Sequence, residues 1–474
     1  MHTPHTLVFA ASLLLAWPAL AQDGFDVSPD GLFQASTDAR ITDQNTGVVR
    51  GVGVPFGAEP DQTVELRRQI GGLQIVDIDN DGDNDLVAVC YISNSFPPYD
   101  NAQDMIFYGT GSGIETTPGW LSDADIHAGD VQVGDIDGNG FTDIVTIHGG
   151  VRRDNVRVYF GGPGGMPTAA GYVSNINRAS WGTAGVLADM DQDGDLDLVT
   201  TNQGVSPDAF RPMLMFENTG STLTTTSVWQ SADDSIQNGV DARDITGDGF
   251  PDLAVAKWVN FDSGVYFNTT GTPDTNQSLF INDGDDADKG AAFTDLQGDG
   301  QVEIGFGGDP STVFTYDGMS LSQIYTANPP FAGPQDFRFF DVDADGDEDM
   351  AEIHFSGGRA HIYLNREGVL DTNPTWSYDA SEVGNALAFG DLNGDGRADL
   401  ALGYAGDTSI RVFFAQAPAC PADLTGDGNL DFFDVSAFVN AFAAMDPQAD
   451  FTDDGVFDFF DVSAFVNAFS AGCP

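Results

Sequence analysis

Residues 189–199 read DMDQDGDLDLV, a short acidic segment that ends in apolar residues. It is one of seven copies of the pattern D-x-x-x-[DN]-G-x-x-[DE] followed by an apolar residue. The copies start at residues 77, 135, 189, 244, 295, 341 and 391, so the steps between them are 58, 54, 55, 51, 46 and 50 residues. A repeat of this length suits four short strands joined by turns. We therefore predict a mainly β fold, a seven-bladed β-propeller with one copy in each blade.

The side chains of each copy predict a calcium-binding loop. Oxygen-bearing side chains at positions 1, 3, 5 and 9, a glycine at position 6 and a backbone carbonyl at position 7 are the arrangement of an EF-hand loop. An EF-hand would continue into a helix with Glu at position 12, whereas the residues that leave these loops, such as Leu86-Val87-Ala88-Val89, favour a buried strand. The sequence therefore predicts Ca²⁺ loops that join two strands.

The predicted metal-binding residues stand at positions 1, 3, 5, 7 and 9 of the seven loops. They are Asp77, Asp79, Asp81, Asp83, Asp85, Asp135, Asp137, Asn139, Phe141, Asp143, Asp189, Asp191, Asp193, Asp195, Asp197, Asp244, Thr246, Asp248, Phe250, Asp252, Asp295, Gln297, Asp299, Gln301, Glu303, Asp341, Asp343, Asp345, Asp347, Asp349, Asp391, Asn393, Asp395, Arg397 and Asp399. An acidic turn without metal is the alternative. Thr246, Gln297 and Glu303 favour that alternative in the fourth and fifth loops, because they replace Asp there.

A second signature follows each loop, a short strand that ends in a glycine-type turn, as in MIFYGTG (105–111) and VRVYFGG (156–162). Together the two signatures resemble the FG-GAP or VCBS repeat family over residues 71–416. The resemblance implies a seven-bladed calcium-binding propeller similar to the integrin α-subunit head. Strand counting leaves the seventh blade one strand short, so we expect the N-terminal segment 22–70, through residues 31–54, to supply the strand that closes the ring.

Residues 420–474 form a different module with two copies of a loop and an apolar helix pattern, at 423–442 and 450–469. The pair resembles a cysteine-bracketed dockerin domain. The resemblance carries over Ca²⁺ ligands at Asp423, Thr425, Asp427, Asn429, Asp431, Asp434, Asp450, Thr452, Asp454, Val456, Asp458 and Asp461. Loop positions 10 and 11 help dockerins to choose a cohesin partner, and here they are Phe432-Phe433 and Phe459-Phe460. A cohesin-like or cell-surface partner follows from this reading, and a purely structural calcium cap is the alternative.

The composition and the N-terminal segment limit the functions that are possible for this chain. The chain has 17 Lys+Arg against 73 Asp+Glu, a net charge of −56, which excludes a nucleic-acid binder. Residues 1–21 have the apolar run and the A-x-A site of a signal peptide, and a membrane anchor is the less favoured alternative because the run is shorter than the ~20 residues that span a bilayer. We expect a secreted, extracellular protein without a membrane span. Of three cysteines, Cys420 and Cys473 bracket the terminal module and pair most economically, which leaves Cys90 as a buried thiol.

No catalytic motif is visible, so we predict a non-catalytic, ligand-binding protein with up to nine Ca²⁺ ions. The loops on the face opposite to the calcium loops combine aromatic and basic residues, which suit an acidic glycan or an anionic protein segment. Candidate ligand-face residues are Tyr91, Phe96, Tyr99, Trp120, Arg152, Arg153, Arg178, Trp181 and Trp258, with Lys289 among the further basic residues. Scattered loop residues without a shared site, and a polysaccharide lyase or hydrolase on the same scaffold, are the alternatives.

Overall fold

The computed structural model describes residues 25–27, 33–35, 54–91, 102–123, 126–149, 156–175, 180–204, 211–232, 235–258, 262–281, 288–328, 333–416, 420–425, 429–452 and 455–472. The contacts between Cα atoms divide the chain into two compact units, Met1–Ala415 and Gln416–Pro474. The predicted signal peptide, residues 1–21, lies outside the described residues. In the described part of the chain, neither helix combines the length and the apolar character that crossing a membrane requires.

The first unit is built from antiparallel sheets in a β-propeller arrangement. Five sheets have four strands each, in the order in which the strands follow along the chain. Their strands are β7 (Ala128–Gly134), β8 (Asp143–His148), β9 (Val156–Tyr159) and β10 (Tyr172–Val173); β11 (Ser180–Ala188), β12 (Asp197–Gly204), β13 (Leu214–Phe216) and β14 (Trp229–Gln230); β15 (Ile236–Arg243), β16 (Asp252–Trp258), β17 (Gly264–Tyr266) and β18 (Leu279–Phe280); β19 (Gly290–Thr294), β20 (Glu303–Gly307), β21 (Thr312–Tyr316) and β22 (Leu321–Thr326); and β23 (Pro334–Phe340), β24 (Asp349–His354), β25 (Arg359–Tyr363) and β26 (Trp376–Asp379).

The sixth sheet joins the first and the seventh repeat. It has six strands in the order β27, β28, β3, β4, β5, β6. Their bounds are β3 (Gln62–Val76), β4 (Asp85–Cys90), β5 (Met105–Phe107), β6 (Trp120–Leu121), β27 (Val383–Gly390) and β28 (Asp399–Phe413). A separate two-stranded sheet pairs β1 (Phe25–Val27) with β2 (Phe33–Ala35).

The prediction of seven separate blades is wrong, because the structure has six propeller sheets. The cause lies in the 15-residue strand β3. Its first half pairs with β28 from Gln62 to Gln69, and its second half pairs with β4 from Ile70 to Val76. β3 is therefore one continuous strand that belongs to both the seventh and the first repeat. As a result, the seven loops lie in six sheets.

The closing strand lies within the expected segment 22–70, at residues other than 31–54. Residues 62–69 of β3, not residues 31–54, complete the seventh repeat. Within 31–54 the structure describes only Phe33–Ala35, which pairs with Phe25–Val27, and Val54. The closing strand belongs to the same chain segment that begins the first repeat, so no break in the hydrogen-bonded ladder separates the two ends.

The apolar core of this unit lies between neighbouring repeats. Buried residues form seven clusters, and each cluster combines side chains from two consecutive repeats. The cluster around Ile70, Leu86 and Met105, for example, also contains Ala401 and Ile410 of the seventh repeat. The second strands supply much of this core: β4, β8 and β24 are buried along their whole length. This explains why the sequence after each loop is almost continuously apolar.

The second unit contains two 13-residue helices, α1 (Phe432–Ala444) and α2 (Phe459–Ala471), and a short 3₁₀ turn, Pro447–Ala449. Asp431 and Asp458 cap the two helices in the same way, and Asp434 and Asp461 complete a capping box at the third helical position. The apolar faces of the helices meet around Phe438 and Phe465. Cys420 is disulfide-bonded, but Cys473 lies outside the described residues, so their pairing stays a prediction. Cys90 is a buried thiol of the first unit.

Candidate functional site

The seven repeated loops share one hydrogen-bonded shape, which the first loop illustrates. Asp77 at position 1 accepts hydrogen bonds from the backbone N–H groups of Asp81 at 3.1 Å and Gly82 at 3.0 Å. Asp81 at position 5 accepts one from the N–H group of Asp83 at 2.9 Å. The backbone is left-handed at position 6, Gly82 with φ 99°, and also at position 4, Asn80 with φ 61°. The sequence predicted the glycine at position 6, whereas the requirement at position 4 was missed.

Four of the loops bring three carboxylates together. In each of them, one oxygen from positions 1, 3 and 9 lies within 4.8 Å of the others. These groups are Asp77, Asp79 and Asp85; Asp135, Asp137 and Asp143; Asp189, Asp191 and Asp197; and Asp341, Asp343 and Asp349. The other three loops have Thr246, Gln297 or Asn393 at position 3, so they lack the third carboxylate. The four groups could hold a metal ion.

The carboxylate at position 9 ties the loop to the turn of the second signature. Asp85 accepts a hydrogen bond from the N–H group of Ile78 in the loop at 2.9 Å and one from Gly109 in the turn at 2.7 Å. The same pair of bonds recurs at Asp143, Asp197, Asp252, Asp349 and Asp399. Position 9 therefore has a structural role beside any role as a ligand. This role also explains why a turn follows each loop at a similar distance.

The electrostatics of the loops suit a divalent cation. Burial, with a further contribution from the neighbouring loop aspartates, raises the pKa of Asp85, Asp143 and Asp197 to about 7 each, although backbone hydrogen bonds oppose the shift. Asp189 Oδ1 and Glu303 Oε1 are buried and accept no hydrogen bond within the described residues. Crowded, partly buried carboxylate oxygens without donors are what a bound Ca²⁺ would satisfy. The residues that are present therefore fit the ion.

The terminal loops are closed by the carboxylate at position 12. Asp434 Oδ1 accepts hydrogen bonds from the N–H group of Thr425 at 3.0 Å and from its hydroxyl at 2.9 Å, and Asp461 binds Thr452 in the same way. Hydrogen bonds from the backbone lower the pKa of Asp434 and Asp461, so both carboxylates stay ionised. Asp427 and Asp454, the expected ligands at position 5, lie outside the described residues. The predicted ligand set of this unit is therefore only partly described.

Two pairs of phenylalanines stand on the surface of the second unit. Phe432 and Phe433 are 76% and 65% exposed, and Phe459 and Phe460 are 75% and 66% exposed. They begin helices α1 and α2, and the two rings of each pair contact one another edge to face. The core of the unit uses other phenylalanines. A contiguous exposed apolar group is uncommon on the surface of a monomeric protein.

The first strands β3, β7, β11, β15, β19, β23 and β27 together enclose a cavity of about 400 Å³, which we call the axial cavity. Tyr91, Trp258 and Phe355 line it, and each of them lies at the end of a second strand. A smaller cavity of about 160 Å³ is enclosed by the same seven strands. Arg338 lines both of them. The axial cavity has the size of a ligand pocket.

Two cations, Lys289 and Arg338, line the axial cavity, and Lys289 is the one that lies against the aromatic rings. Its ammonium lies 5.3 Å from the ring centre of Trp258 and 5.4 Å from that of Phe355, and it donates a hydrogen bond to Gln335 Oε1 at 3.0 Å. Burial lowers the pKa of Lys289. Within the described residues it forms no ion pair. The amide nitrogen of Asn385, which lines the same cavity, is buried and has no hydrogen-bond partner within the described residues.

Three aspartates of the first strands connect one repeat to the next. Asp130 accepts a hydrogen bond from the N–H group of Gly185 at 2.9 Å, Asp241 one from Phe293 at 2.8 Å and Asp336 one from Leu387 at 3.0 Å. Arg338 contacts Asp336 at 3.2 Å, and its pKa is raised chiefly by that carboxylate. Burial raises the pKa of Asp130, and Arg338 opposes the shift. These carboxylates brace the ring, and their oxygens are engaged by donors.

The predicted ligand face is brought together only in part. Tyr91, Trp258 and Lys289 line one cavity. Trp120 does not line this cavity, because its side chain is buried in β6 against Tyr159, with the ring centres 5.3 Å apart. The side chain of Trp181 and the remaining candidates lie outside the described part: Phe96, Tyr99, Arg152, Arg153 and Arg178.

The sequence did not point to Gln335, Arg338, Phe355 and Asn385 as members of this site. Arg338 carried one usable signal, because it is one of only 17 basic residues and stands in an apolar first strand. Asn385 and Gln335 look like ordinary strand residues. Their place in the cavity depends on the register between repeats.

One buried group of titratable residues resembles a catalytic pair. Glu352 accepts hydrogen bonds from Ser311 at 2.7 Å and Tyr363 at 2.9 Å, and it contacts His354 Nε2 at 3.1 Å. The side chains of Glu352 and His354 are each only 1% exposed. A pair that no substrate can reach serves the packing of the repeats, and it gives no support to a hydrolase or lyase.

One family model matches the chain. Residues 341–402, which run from the sixth loop into β28 and include the seventh loop, match the FG-GAP-like repeat family. The matched part therefore carries two of the seven loops. The chain has no match among the curated proteins with which it was compared.

Proposed function

We propose that this chain is an exported calcium-binding propeller that binds an extracellular ligand without transforming it. The observation that carries the proposal is the axial cavity, in which Lys289 lies between Trp258 and Phe355 and forms no ion pair within the described residues. A cation without an ion pair among the described residues is notable in a chain with a net charge of −56. The cavity, its aromatic rings and the donors of Lys289 and Asn385 suit ligand recognition, whereas the carboxylates of Asp130 and Asp336 brace the ring.

Ca²⁺ is the ion that we assign to the seven loops. All the groups offered are oxygens, which hard cations prefer, and the loop follows the ligand spacing of EF-hands without the helix. A bound ion would supply charge compensation to the buried aspartates and would fix the ends of the first and second strands. In this proposal the ions stabilise the propeller and do not take part in chemistry.

The second unit is proposed as the attachment module. Its exposed phenylalanine pairs occupy loop positions 10 and 11, at which dockerin-like domains contact their partner. A cohesin-like or cell-surface protein with an apolar groove would be a suitable partner.

A binding experiment tests the proposal. The Ca²⁺-saturated protein without its signal peptide is applied to an array of acidic and neutral glycans. Each glycan that retains the protein is then incubated with it in solution, and the solution is analysed for products. Retention of at least one glycan class without new reducing ends or unsaturated products supports a binding protein. Product release would establish the enzyme instead, and absence of any retained glycan or extracellular protein would refute ligand binding.

A further inference from the structure

We infer that the axial cavity recognises an acidic sugar, a uronate residue whose carboxylate binds Lys289. This inference deepens the proposed function and rests on it. The contacts of the Lys289 ammonium leave it able to bind an anion. The rings of Trp258 and Phe355 hold its ammonium within 5.3 Å and 5.4 Å of their centres, and one amide oxygen accepts from it. An ammonium has three donors, so at least one remains available to an anion.

A second donor of the axial cavity is the amide of Asn385. Asn385 is 8% exposed, and its amide nitrogen has no hydrogen-bond partner among the described residues. A buried donor without a partner destabilises the protein unless water or a ligand satisfies it. Lys289 and Asn385 line the same cavity, so a ligand with a carboxylate and hydroxyl groups would satisfy both.

The size of the axial cavity and its aromatic lining limit the ligands that fit. A cavity of about 400 Å³ suits a small ring or a chain end. The rings of Phe355, which is 38% exposed, and of Trp258 offer apolar surface to the C–H face of a sugar.

An acidic peptide is less suitable, because peptides commonly add a strand to a free sheet edge. In β11, β19 and β27 the N–H groups of Gly185, Phe293 and Leu387 already donate hydrogen bonds to the bracing aspartates. These groups are therefore not available to pair with a peptide strand.

The test is calorimetric titration of the full Ca²⁺-saturated protein with trigalacturonate, and with a neutral galactose trisaccharide of the same linkage. We expect trigalacturonate to bind and the neutral sugar to bind at least about tenfold more weakly, since a hydrogen bond to a charged group is worth roughly that factor. The variant K289M, which keeps the apolar stem of the side chain, should lower the affinity for trigalacturonate at least about tenfold. The variant N385A should lower it by a smaller factor.

Two controls separate local recognition from long-range charge and from misfolding. R366M removes one positive charge from an exposed side chain and should leave the affinity unchanged. K289Q, a second variant that retains a polar end, should match K289M, and both should melt like the unchanged protein.

Three outcomes would overturn the inference: equal binding of the neutral sugar, full affinity in K289M and K289Q, or tighter Lys289-dependent binding of hexaglutamate. Each of them leaves a ligand-binding propeller in place. Only the absence of every retained ligand on the array would remove the proposed function as well.

Discussion

Phe438 and Phe465 stack face to face at the centre of the second unit, with ring centres 4.1 Å apart and an angle of 4° between the rings. They occupy the same position of the two tandem copies, which are 27 residues apart. Both side chains are almost completely buried, and Phe451 contacts both edge to face. The repeat therefore folds back on itself, so that equivalent residues form the core and the equivalent phenylalanine pairs remain on the surface.

The first prediction separates these two sets of phenylalanines. Replacement of Phe432, Phe433, Phe459 and Phe460 by Ser should leave the Ca²⁺-dependent melting of the second unit nearly intact, because the four side chains are 76%, 65%, 75% and 66% exposed. Attachment to the partner surface should be lost. F438A should instead destabilise the unit by about 3–5 kcal/mol, as expected for a buried aromatic.

Calorimetry of the 420–474 fragment, with capture on a cell-wall preparation as the second readout, checks both variants. Loss of the melting transition in the quadruple variant would contradict an exposed, partner-facing role. Unchanged attachment with an intact melt would assign the phenylalanine pairs no role in binding.

The second prediction concerns Ca²⁺ in the loops of the propeller. At a free Ca²⁺ concentration one hundred times the dissociation constant, each occupied site should stabilise the folded state by about 2.7 kcal/mol, so excess EGTA should lower the melting temperature strongly. D191N removes charge from position 3 but keeps the oxygen that accepts from Asp193 N–H. It should lower the melting temperature in Ca²⁺ and have little effect in EGTA.

D195N is the matched control in the same loop. It removes the same charge at position 7, where the backbone carbonyl and not the side chain would bind the ion. Its melting curve in Ca²⁺ should follow that of the unchanged protein. Identical curves for the unchanged protein in Ca²⁺ and in EGTA would refute the metal assignment.

How well the sequence predicts a part of this structure depends on how far apart along the chain the contacting residues lie. The loops were predictable because the hydrogen bonds that shape them, such as those from Asp81 and Gly82 to Asp77, join residues that are close together in the chain. The closing strand was not, because residues 62–69 and 405–412 are more than 300 residues apart and only their pairing reveals β3 as one continuous strand. Asn385 and Arg338 escaped notice for the same reason, since the cavity that they line is formed by seven first strands and no local pattern marks an inward-facing donor.

The third prediction follows from the left-handed backbone at loop position 4. Ala344 occupies this position in the sixth loop with φ 58°, whereas Gly138 occupies it in the second with φ 69°. A344G should stabilise the protein by about 0.5–1 kcal/mol, because the left-handed conformation disfavours a Cβ by more than glycine costs in the unfolded chain. G138A should destabilise it by about 1 kcal/mol.

Chemical denaturation in saturating Ca²⁺ measures both changes. No atom lies within 4 Å of a Cβ added at Gly138, so its effect isolates the backbone. Changes of the same sign in A344G and G138A would contradict this account.

The fourth prediction concerns pH and Asp104. This carboxyl group accepts a hydrogen bond from Tyr159 at 3.2 Å, and burial raises its pKa to about 7 although that bond and one from Ser122 oppose the shift. Because the pKa is higher in the folded state than in the unfolded state, the folded protein binds the extra proton between about pH 4 and pH 7. The stability that Asp104 contributes is therefore lost as the pH rises through this range.

D104N removes this titration. In saturating Ca²⁺, the free energy of unfolding of D104N relative to the unchanged protein should increase between pH 5 and pH 8, on the order of a few kcal/mol. D123N, a change at an exposed aspartate, should show no such trend. A difference between D104N and the unchanged protein that is constant with pH would contradict the buried, protonated carboxyl.

The last prediction is that the two units fold independently. The final strand of the propeller, β28, ends at Phe413, and the N–H group of Ala415 donates to Asp399 Oδ1 at 2.8 Å, which completes the turn of the seventh repeat. A fragment of residues 22–416 contains every one of these contacts, so it should melt in Ca²⁺ at the temperature of the propeller transition in the full chain. A fragment that ends at Phe413 lacks the Ala415 bond and should melt at a lower temperature, because Asp399 then loses a donor from the backbone.

The fragment 420–474 has its own core around Phe438 and Phe465, but it is small, so it should fold only with its disulfide and with Ca²⁺. The 22–416 fragment should keep ligand binding and lose attachment, and the 420–474 fragment should do the reverse. Failure of 22–416 to fold, with 420–474 restoring it in trans, would show that the two units stabilise one another and would refute the division of roles.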